Sequence, residues 1–263
     1  MPELPEVESV VLRLRQTAPW AKIVACGQFR STTARGLKRA LGHTVDAVDR
    51  RGKNILLRLS GGAFLRIHLK MTGGLNVIPG VNLRQSTVRA WLTLEDGRAI
   101  VLNDPRALGR ISFHHAREER SLFARLGPEP FSEAFTPEHL IAAARRTAKP
   151  VKIFLMDQRA VAGLGNIYAA EALFHARIHP AAPARQLSAK KLAVLHRVIR
   201  DVLELALRSA SVAYEDPGGF AEAEDFPVAV YGREGEPCPR CAARVRRIAQ
   251  GGRSTYYCPK CQK

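Results

Sequence analysis

No apolar stretch of this chain approaches the ~18 residues that a membrane-spanning helix requires. The sequence does not open on a basic segment followed by an apolar one, so nothing predicts a secretion signal. Internal repeats and low-complexity tracts are also missing, and 46% of the residues are hydrophobic, which excludes a disordered chain. We therefore expect a cytoplasmic, bacterial-type monomer with no membrane partner, whose 263 residues form one large domain or two ordinary ones.

Acidic residues are scarce relative to basic ones. Lysine and arginine number 41 against 24 acids, which gives a formal net charge of +17 and a pI near 10.4. Such an imbalance indicates a polyanionic partner, and the missing apolar run leaves nucleic acid as the better choice over an anionic membrane.

Cysteines are few, and four of the five form two closely spaced pairs, Cys238 with Cys241 and Cys258 with Cys261. Two CxxC pairs at this separation are typical of a zinc ribbon, because each pair places two sulfurs on one tight turn. Two disulfides are the alternative, and they need an oxidising compartment for which the sequence gives no sign. Cys26 lies in an apolar stretch and is predicted to be a small core residue.

The N-terminus reads Pro2-Glu3-Leu4-Pro5. Removal of Met1 would leave a proline secondary amine, and a terminal amine titrates near ~8, far below a lysine side chain. An uncharged amine of this kind can attack an electrophilic carbon and form an imine, and Glu3 can move the protons that such a step requires. Pro2 is therefore a candidate nucleophile.

An ordinary helix start is the competing interpretation of the same segment. Proline suits the first helical position, and acids such as Glu6 and Glu8 suit the first turn because they offset the helix dipole. An apolar stripe at helical spacing follows, formed by Val7, Val10, Val11 and Leu14. This interpretation accounts for Pro5 but not for Pro2.

The pattern predicts an α+β chain in three parts. Short strands broken by glycine-rich turns indicate an N-terminal β-sandwich over residues 1–127. Helical patterns fill 128–232, with Thr136 and Ser188 as N-caps, and residues 233–263 form the ribbon. The strands are predicted at 22–29, 43–49, 54–59, 63–69, 87–94, 99–102 and 110–115.

Several separated motifs together resemble the formamidopyrimidine-DNA glycosylase and endonuclease VIII family. They span the chain in order: Pro2 to Glu6, Arg51-Gly52-Lys53, His68 to Gly73, Asn103 to Arg106, Leu155 to Gln158, Gly163 to Tyr168 with Glu171, Tyr231-Gly232-Arg233, and the ribbon. The His-Leu-x-Met-x-Gly and Asp-Pro-Arg motifs resemble the formamidopyrimidine branch more closely.

The resemblance implies a bifunctional DNA glycosylase and abasic-site lyase of base excision repair that acts on damaged double-stranded DNA. Extrusion of the damaged nucleotide is required, because C1′ is closed to attack while the base is stacked. Pro2 would attack C1′, Glu3 would supply protons, and β- and δ-elimination would nick the backbone. Oxidised purines, formamidopyrimidine and 8-oxoguanine, are the implied substrates.

The resemblance also implies how the DNA is bound. Lys53 would contact the phosphates beside the lesion and belongs with the catalytic residues, and Glu6 would position the reacting groups. His68 and Lys152 would contact the backbone and lesion pocket, while Asn166 and Arg253 would bind phosphates. Gly163 to Asn166 resembles a helix-two-turns-helix element; a dinucleotide-binding loop is excluded because no third glycine follows.

Once a nucleotide leaves the stack, other side chains must fill the gap, and Met71, Arg106 and Leu108 match these positions. Leu108 departs from the family's usual phenylalanine, so stacking should weaken and opposing-base preference is open. Lys70 replaces a usual glycine. The acidic segment 209–226, with Glu215, Asp216, Glu222, Glu224 and Asp225, differs from the family's lesion-covering loop and leaves the preferred lesion open.

Three rival functions remain at this point. An endonuclease-VIII-like enzyme would remove oxidised pyrimidines, and a damage-recognition protein would bind DNA without cutting it. A generic zinc-ribbon binder gives no account of the N-terminus. The zinc in every case is structural, because four thiolates leave no position for a water.

Overall fold

The computed structural model describes residues 2–81, 85–213 and 226–263. These residues divide into two compact units: the first takes those within Met1–Ala124 and Ala210–Glu224, and the second those within Arg125–Ser209 and Asp225–Lys263. Among the described helices, none combines the length and the apolar character needed to cross a membrane. The division at 127/128 and 232/233 stays a prediction.

The first unit is a β-sandwich that a helix precedes. Helix α1 (Leu4–Thr17) is followed by nine strands. They are β1 (Ile23–Gln28), β2 (Ala34–Arg35), β3 (Val45–Arg51), β4 (Asn54–Leu59), β5 (Ala63–His68), β6 (Gly74–Pro79), β7 (Val88–Leu94), β8 (Arg98–Asn103) and β9 (Arg110–His115). One sheet has the order β1-β7-β8-β6 and the other β2-β9-β5-β4-β3, which confirms the predicted sandwich.

The core of this unit lies between α1 and the sheets. The predicted stripe of α1 is fully buried, and alternate residues of the strands, such as Ile55 and Leu57 on β4, point into the same cluster. Each fully buried aliphatic side chain of this kind stabilises the fold by ~1.5–3 kcal/mol. Cys26 is half-buried against this cluster, as a small apolar residue would be.

Two strands escaped the sequence analysis. β6 is an edge strand that begins at Gly74, ends at Pro79 and has only one buried residue, so its pattern resembles a turn. β2 spans two residues and pairs in parallel with β9, a contact between distant segments that local pattern does not reveal. The other seven strands lie where predicted to within two residues at each end.

Helices dominate the rest of the chain. They are α2 (Ala116–Phe123), α3 (Pro137–Arg145), α4 (Val151–Met156), α5 (Asn166–His175) and α6 (Ala189–Ala213), with short 3-10 helices at Leu37–Ala40 and Ala184–Gln186. The predicted caps are confirmed: Thr136 Oγ1 accepts from His139 N at 3.1 Å, and Ser188 Oγ accepts from Lys191 N at 3.2 Å.

A β-hairpin closes the chain. Strands β10 (Arg246–Gln250) and β11 (Arg253–Tyr257) pair antiparallel across the two-residue turn Gly251-Gly252. Both glycines have positive φ, 56° and 73°, the conformation that such tight hairpin turns require. The paired cysteines flank this hairpin, as a zinc ribbon demands.

Candidate DNA-processing site

Pro2 lies outside the first helix, and Glu3 is the N-cap of α1. The backbone N–H of Glu3 donates to Glu6 Oε2 at 2.7 Å, while the Glu3 carboxylate accepts from the Glu6 backbone, which completes a reciprocal capping box. Both acids are buried, 1% and 2% exposed. The helix-start interpretation is therefore correct for Glu6, and the same bonds hold a carboxylate directly beside half-buried Pro2.

An ion pair connects α1 to the turn that carries Lys53. Glu8 on α1 accepts from Arg50 Nε at 2.5 Å, and Arg50 Nη1 donates to the carbonyl of Gly52 at 2.9 Å. Gly52 and Lys53 form the two-residue turn between β3 and β4, with Gly52 at φ 57°. Arg50 thus fixes the Lys53 turn relative to the helix that begins beside Pro2.

His68 lies opposite Asn54 at the end of β5. Burial lowers the pKa of His68 to about 4, and the positive charges of Lys70, Arg66 and Lys53 act in the same direction. Nδ1 accepts from the Lys70 backbone N–H at 3.0 Å, so the neutral ring carries its proton on Nε2. His68 can therefore offer one N–H to a phosphate oxygen but no charge at neutral pH.

The loop of Arg106 and Leu108 is folded around one carboxylate. Asp104 is fully buried, and its two oxygens accept from the backbone N–H groups of Arg106, Leu108 and Gly109 at 3.1, 2.6 and 2.6 Å. Burial would raise the pKa of Asp104, but these bonds and one from Thr72 outweigh it and hold the pKa below its usual value. The carboxylate stays ionised and fixes the loop backbone.

Two arginines hold the carbonyls of the same loop. Arg89 donates to the carbonyls of Asp104 and Pro105 at 2.7 and 3.1 Å. Arg110 Nη1 donates to those of Ala107, Leu108 and Gly109 at 3.2, 2.9 and 2.8 Å. With its amides on Asp104 and its carbonyls on arginines, the loop presents Arg106 to solvent from a fixed backbone.

Met71 is joined to this loop through its neighbour. Thr72 Oγ1 donates to Asp104 Oδ1 at 2.5 Å, so the turn of Met71 and the loop of Arg106 share one carboxylate. The turn is closed by Gly73 N–H donating to Leu69 O at 3.0 Å, and a Cβ at Gly73 would lie 2.4 Å from that oxygen. Met71 is 40% exposed, and the structure thus brings the three predicted gap-filling residues together.

In the second unit, Lys152 is fully buried rather than exposed to a ligand. Its ammonium donates to Asn166 Oδ1 at 2.6 Å, Thr255 Oγ1 at 2.7 Å and Ser254 O at 3.1 Å. The sequence interpretation placed Lys152 in the lesion pocket; its burial instead gives it a role in orienting Asn166 and joining α4 to the hairpin strand β11.

Asn166 occupies the first position of α5, where backbone N–H groups have no partner within the helix. Its Nδ2 donates to Ser254 O at 3.2 Å and to Tyr231 Oη at 3.4 Å. The preceding turn is closed by Gln158, which donates to Leu164 O at 2.7 Å and accepts from Gly163 N at 2.9 Å. This is the geometry of the predicted helix, two turns, helix element.

Glu171 holds the segment that carries Tyr231. The carboxylate is fully buried and accepts from the backbone N–H groups of Ala229, Val230 and Tyr231 at 2.8, 3.0 and 2.8 Å. Sequence reasoning included Glu171 in a motif without giving it a role. The signal available was a single acid within the otherwise apolar run of α5.

The four cysteine sulfurs form one cluster in which all lie within 4.8 Å of each other. Cys238 and Cys261 are 3.9 Å apart and Cys241 and Cys258 3.5 Å, too long for disulfides, so the disulfide alternative is wrong. Zn–S bonds of ~2.3 Å in a tetrahedron place sulfurs ~3.8 Å apart, so this donor set fits a four-coordinate metal.

Arg253 begins β11 directly after the Gly251-Gly252 turn and is exposed. The turn itself is packed closely, because a Cβ on Gly251 would lie 2.9 Å from Ile153 Cδ1 on α4. The acidic stretch that the sequence interpretation assigned to a lesion-covering loop lies at 214–225, outside the described residues.

Three family models match the chain. The formamidopyrimidine-DNA glycosylase N-terminal domain covers residues 1–111, the formamidopyrimidine-DNA glycosylase H2TH domain 126–216, and the zinc finger found in FPG and IleRS 235–263. With the sandwich, the helix-two-turns-helix element and the cysteine cluster, these matches define a DNA-repair glycosylase of the zinc-finger class.

Individual relatives agree along the whole chain. A formamidopyrimidine-DNA glycosylase of Thermus thermophilus is 41% identical over 100% of this chain and 98% of its own. The crystal structure of that organism's enzyme has a TM-score of 0.88 at 40% identity, covering 99% and 98% of the chains. A Lactococcus lactis variant with Fapy-dG containing DNA reaches 0.92 at 28% identity, covering both chains fully. The chain belongs to the formamidopyrimidine-DNA glycosylase family.

Proposed function

We propose that this protein excises oxidised purines from duplex DNA and then cleaves the abasic site through a covalent intermediate on Pro2. The observation that carries the proposal is the buried Glu3 carboxylate beside Pro2, held by the capping box at the start of α1. A helix start alone gives no reason for a proline at position 2, whereas an attacking secondary amine does. We further propose that the protein is monomeric and acts in the cytoplasm.

The chemistry follows from the atoms at this terminus. After removal of Met1, the Pro2 nitrogen forms a bond to C1′ while the bond from C1′ to the base breaks and the base leaves with a proton. Glu3 then protonates O4′ as the sugar ring opens, which leaves an iminium between the Pro2 nitrogen and C1′. The iminium acidifies the C2′ protons, so elimination releases the 3′ and then the 5′ phosphate, and water frees the enzyme.

We assign DNA contacts to each unit by what its side chains offer. In the first unit, Lys53 supplies charge and His68 a neutral N–H to phosphates, while Met71, Arg106 and Leu108 fill the space that the extruded nucleotide leaves. In the second unit, Asn166 at the start of α5 and Arg253 at the hairpin bind phosphate. Lys152 acts through Asn166, because its ammonium is buried.

Purine lesions are the favoured substrates because the Lactococcus lactis relative is bound to Fapy-dG containing DNA. We assign zinc to the cysteine cluster, where it would fix the hairpin that carries Arg253. Zinc supplies no chemistry to the reaction, since four sulfur ligands complete its coordination.

Duplexes that differ only in one base test the substrate. We expect nicking of duplexes with formamidopyrimidine or 8-oxoguanine, and little nicking of duplexes with an oxidised pyrimidine or an undamaged base. Glu3→Gln, which keeps the size of the side chain, should retain binding and lose base release. Preference for the oxidised pyrimidine would indicate an endonuclease-VIII-like enzyme, and binding with no nicking of any lesion would contradict enzymatic function altogether.

A further inference from the structure

A basic cavity lies on the outer face of the five-stranded sheet, outside the site described above. It has a volume of about 590 Å³, within the ~300–1,000 Å³ usual for ligand pockets. Three arginines, Arg35, Arg39 and Arg66, line it together with Ser112 and His114. All of these residues belong to the first unit.

Strand register brings these groups to one face. Ser112 on β9 is the Cα partner of Arg35 on β2 and also of Arg66 on β5, so the three side chains point to the same side of the sheet. Arg39 is fixed over the ring of Phe113 at 4.5 Å and contacts His115 Nε2 at 2.6 Å. Three guanidinium groups therefore converge from separate elements.

The positive charge of the cavity is only partly balanced. Among the described residues, no carboxylate pairs with Arg35 or Arg66; Arg66 Nε instead donates to Asn54 Oδ1 at 2.8 Å. The single lining acid, Glu118, already accepts from the His115 N–H at 2.8 Å. Burial lowers the pKa of His114, and the charges of Arg66 and Arg35 lower it further, although Glu118 acts in the opposite sense.

The cavity also continues the row of groups at His68. On the same sheet face, His68 pairs with Asn54 and Arg110, and Arg66 and Ser112 lie two residues further along β5 and β9. Two residues of strand span ~7 Å. Neighbouring phosphates of one DNA strand are close enough to reach both positions.

We propose that this cavity binds a phosphate group, and that the group is a backbone phosphodiester of bound DNA next to the one at His68. Arg35 and Arg66 supply bidentate donors, and Ser112 supplies a hydroxyl. The choice of DNA as the source rests on the proposed function; binding of a phosphate group as such does not.

Salt-dependent binding of an undamaged duplex tests the DNA contact. The double variant Arg35→Gln with Arg66→Gln should reduce the slope of log affinity against log salt by ~0.9, the value for one phosphate contact. Arg120→Gln is the matched control, because Arg120 is exposed on α2, carries the same charge and does not line the cavity. It should keep the wild-type slope.

Inorganic phosphate provides the second arm, read from the NMR signals of the His114 ring. Shifts in the wild-type protein that the double variant loses, with an unchanged DNA slope, would support the phosphate site with free phosphate as its source. No phosphate-induced shift together with an unchanged slope would overturn the proposal. Arg35→Gln alone, at an exposed residue, carries both arms if loss of the Asn54 contact unfolds the double variant. The phosphate arm uses no lesion, so its failure is distinct from failure of the proposed enzymatic activity.

Discussion

At the scale of single residues, burial changes what several charged side chains can do. Lys152 has the sequence of an exposed lysine in a helix, but three acceptors surround its ammonium and make it a positioning group. His68 could be predicted as a DNA contact from its motif, whereas its neutral state depends on burial and on three nearby cations from different positions in the chain. Local sequence does not contain that information.

His68 should make the protein less stable in mild acid. Because its folded pKa of about 4 lies below the ordinary 6.5, its contribution is complete above pH 6.5 and is lost as pH falls towards 4. The shift corresponds to about 3 kcal/mol at most. Denaturant unfolding across this pH range should show a smaller loss of stability for His68→Asn than for the wild type. Equal losses in the two proteins would contradict the assigned pKa.

Lys70 adopts a backbone conformation that favours glycine. Its φ is 62°, in the left-handed region, and the family that the sequence resembles usually has glycine here. Lys70→Gly should therefore raise the free energy of unfolding by about 1 kcal/mol, measured by denaturant titration. Lys70→Ala removes the same side chain but keeps the strain, so it serves as control. A Lys70→Gly protein less stable than Lys70→Ala would exclude strain at this position.

At the scale of elements, regular pattern was predictable and irregular loops were not. Alternation located seven strands, and cap residues located the starts of α3 and α6. The loop from Asp104 to Gly109 was recognised only as a motif, because its order depends on Thr72, Arg89 and Arg110 reaching it from other elements. The Glu8 to Arg50 to Gly52 connection was hidden for the same reason.

Replacement of Asp104 by asparagine should loosen this loop. An asparagine has one acceptor oxygen for the four donors that Asp104 now satisfies, and its NH₂ would face backbone N–H groups. We expect a loss of ~1–3 kcal/mol in unfolding free energy and weaker discrimination among bases opposite the lesion, measured in nicking assays. Asp46→Asn on β3 is the control. Unchanged opposing-base discrimination would show that the loop does not position Arg106 and Leu108.

At the scale of the whole molecule, the predicted fold and the family are confirmed, because motifs and periodicity are distributed over the full length. The preferred lesion could not be predicted, since the segment that departs most from the family lies at 214–225. The phosphate cavity was equally hidden, as Arg35, Arg66 and Ser112 meet only through strand register.

Metal removal should affect the two units differently. The cysteine cluster joins the turns on both sides of the hairpin, and a structural zinc contributes apparent binding energies of ~10–16 kcal/mol. Chelation, or Cys258→Ser, should abolish hydrogen-exchange protection in β10 and β11 and weaken DNA binding, while β4 and β5 of the sandwich stay protected. Cys26→Ser is the control. Persistent protection of the hairpin after chelation would contradict a metal-dependent fold.

The central claim is that Pro2 is the nucleophile, and borohydride reduction during reaction with lesion-containing duplex tests it most directly. We expect a stable covalent adduct that peptide mapping assigns to Pro2, and we expect its loss when Pro2 is changed to glycine or when the N-terminus is extended. Lys22→Ala should leave the adduct in place. No adduct with the intact protein, or an adduct that persists at a lysine when the N-terminus is blocked, would contradict the mechanism.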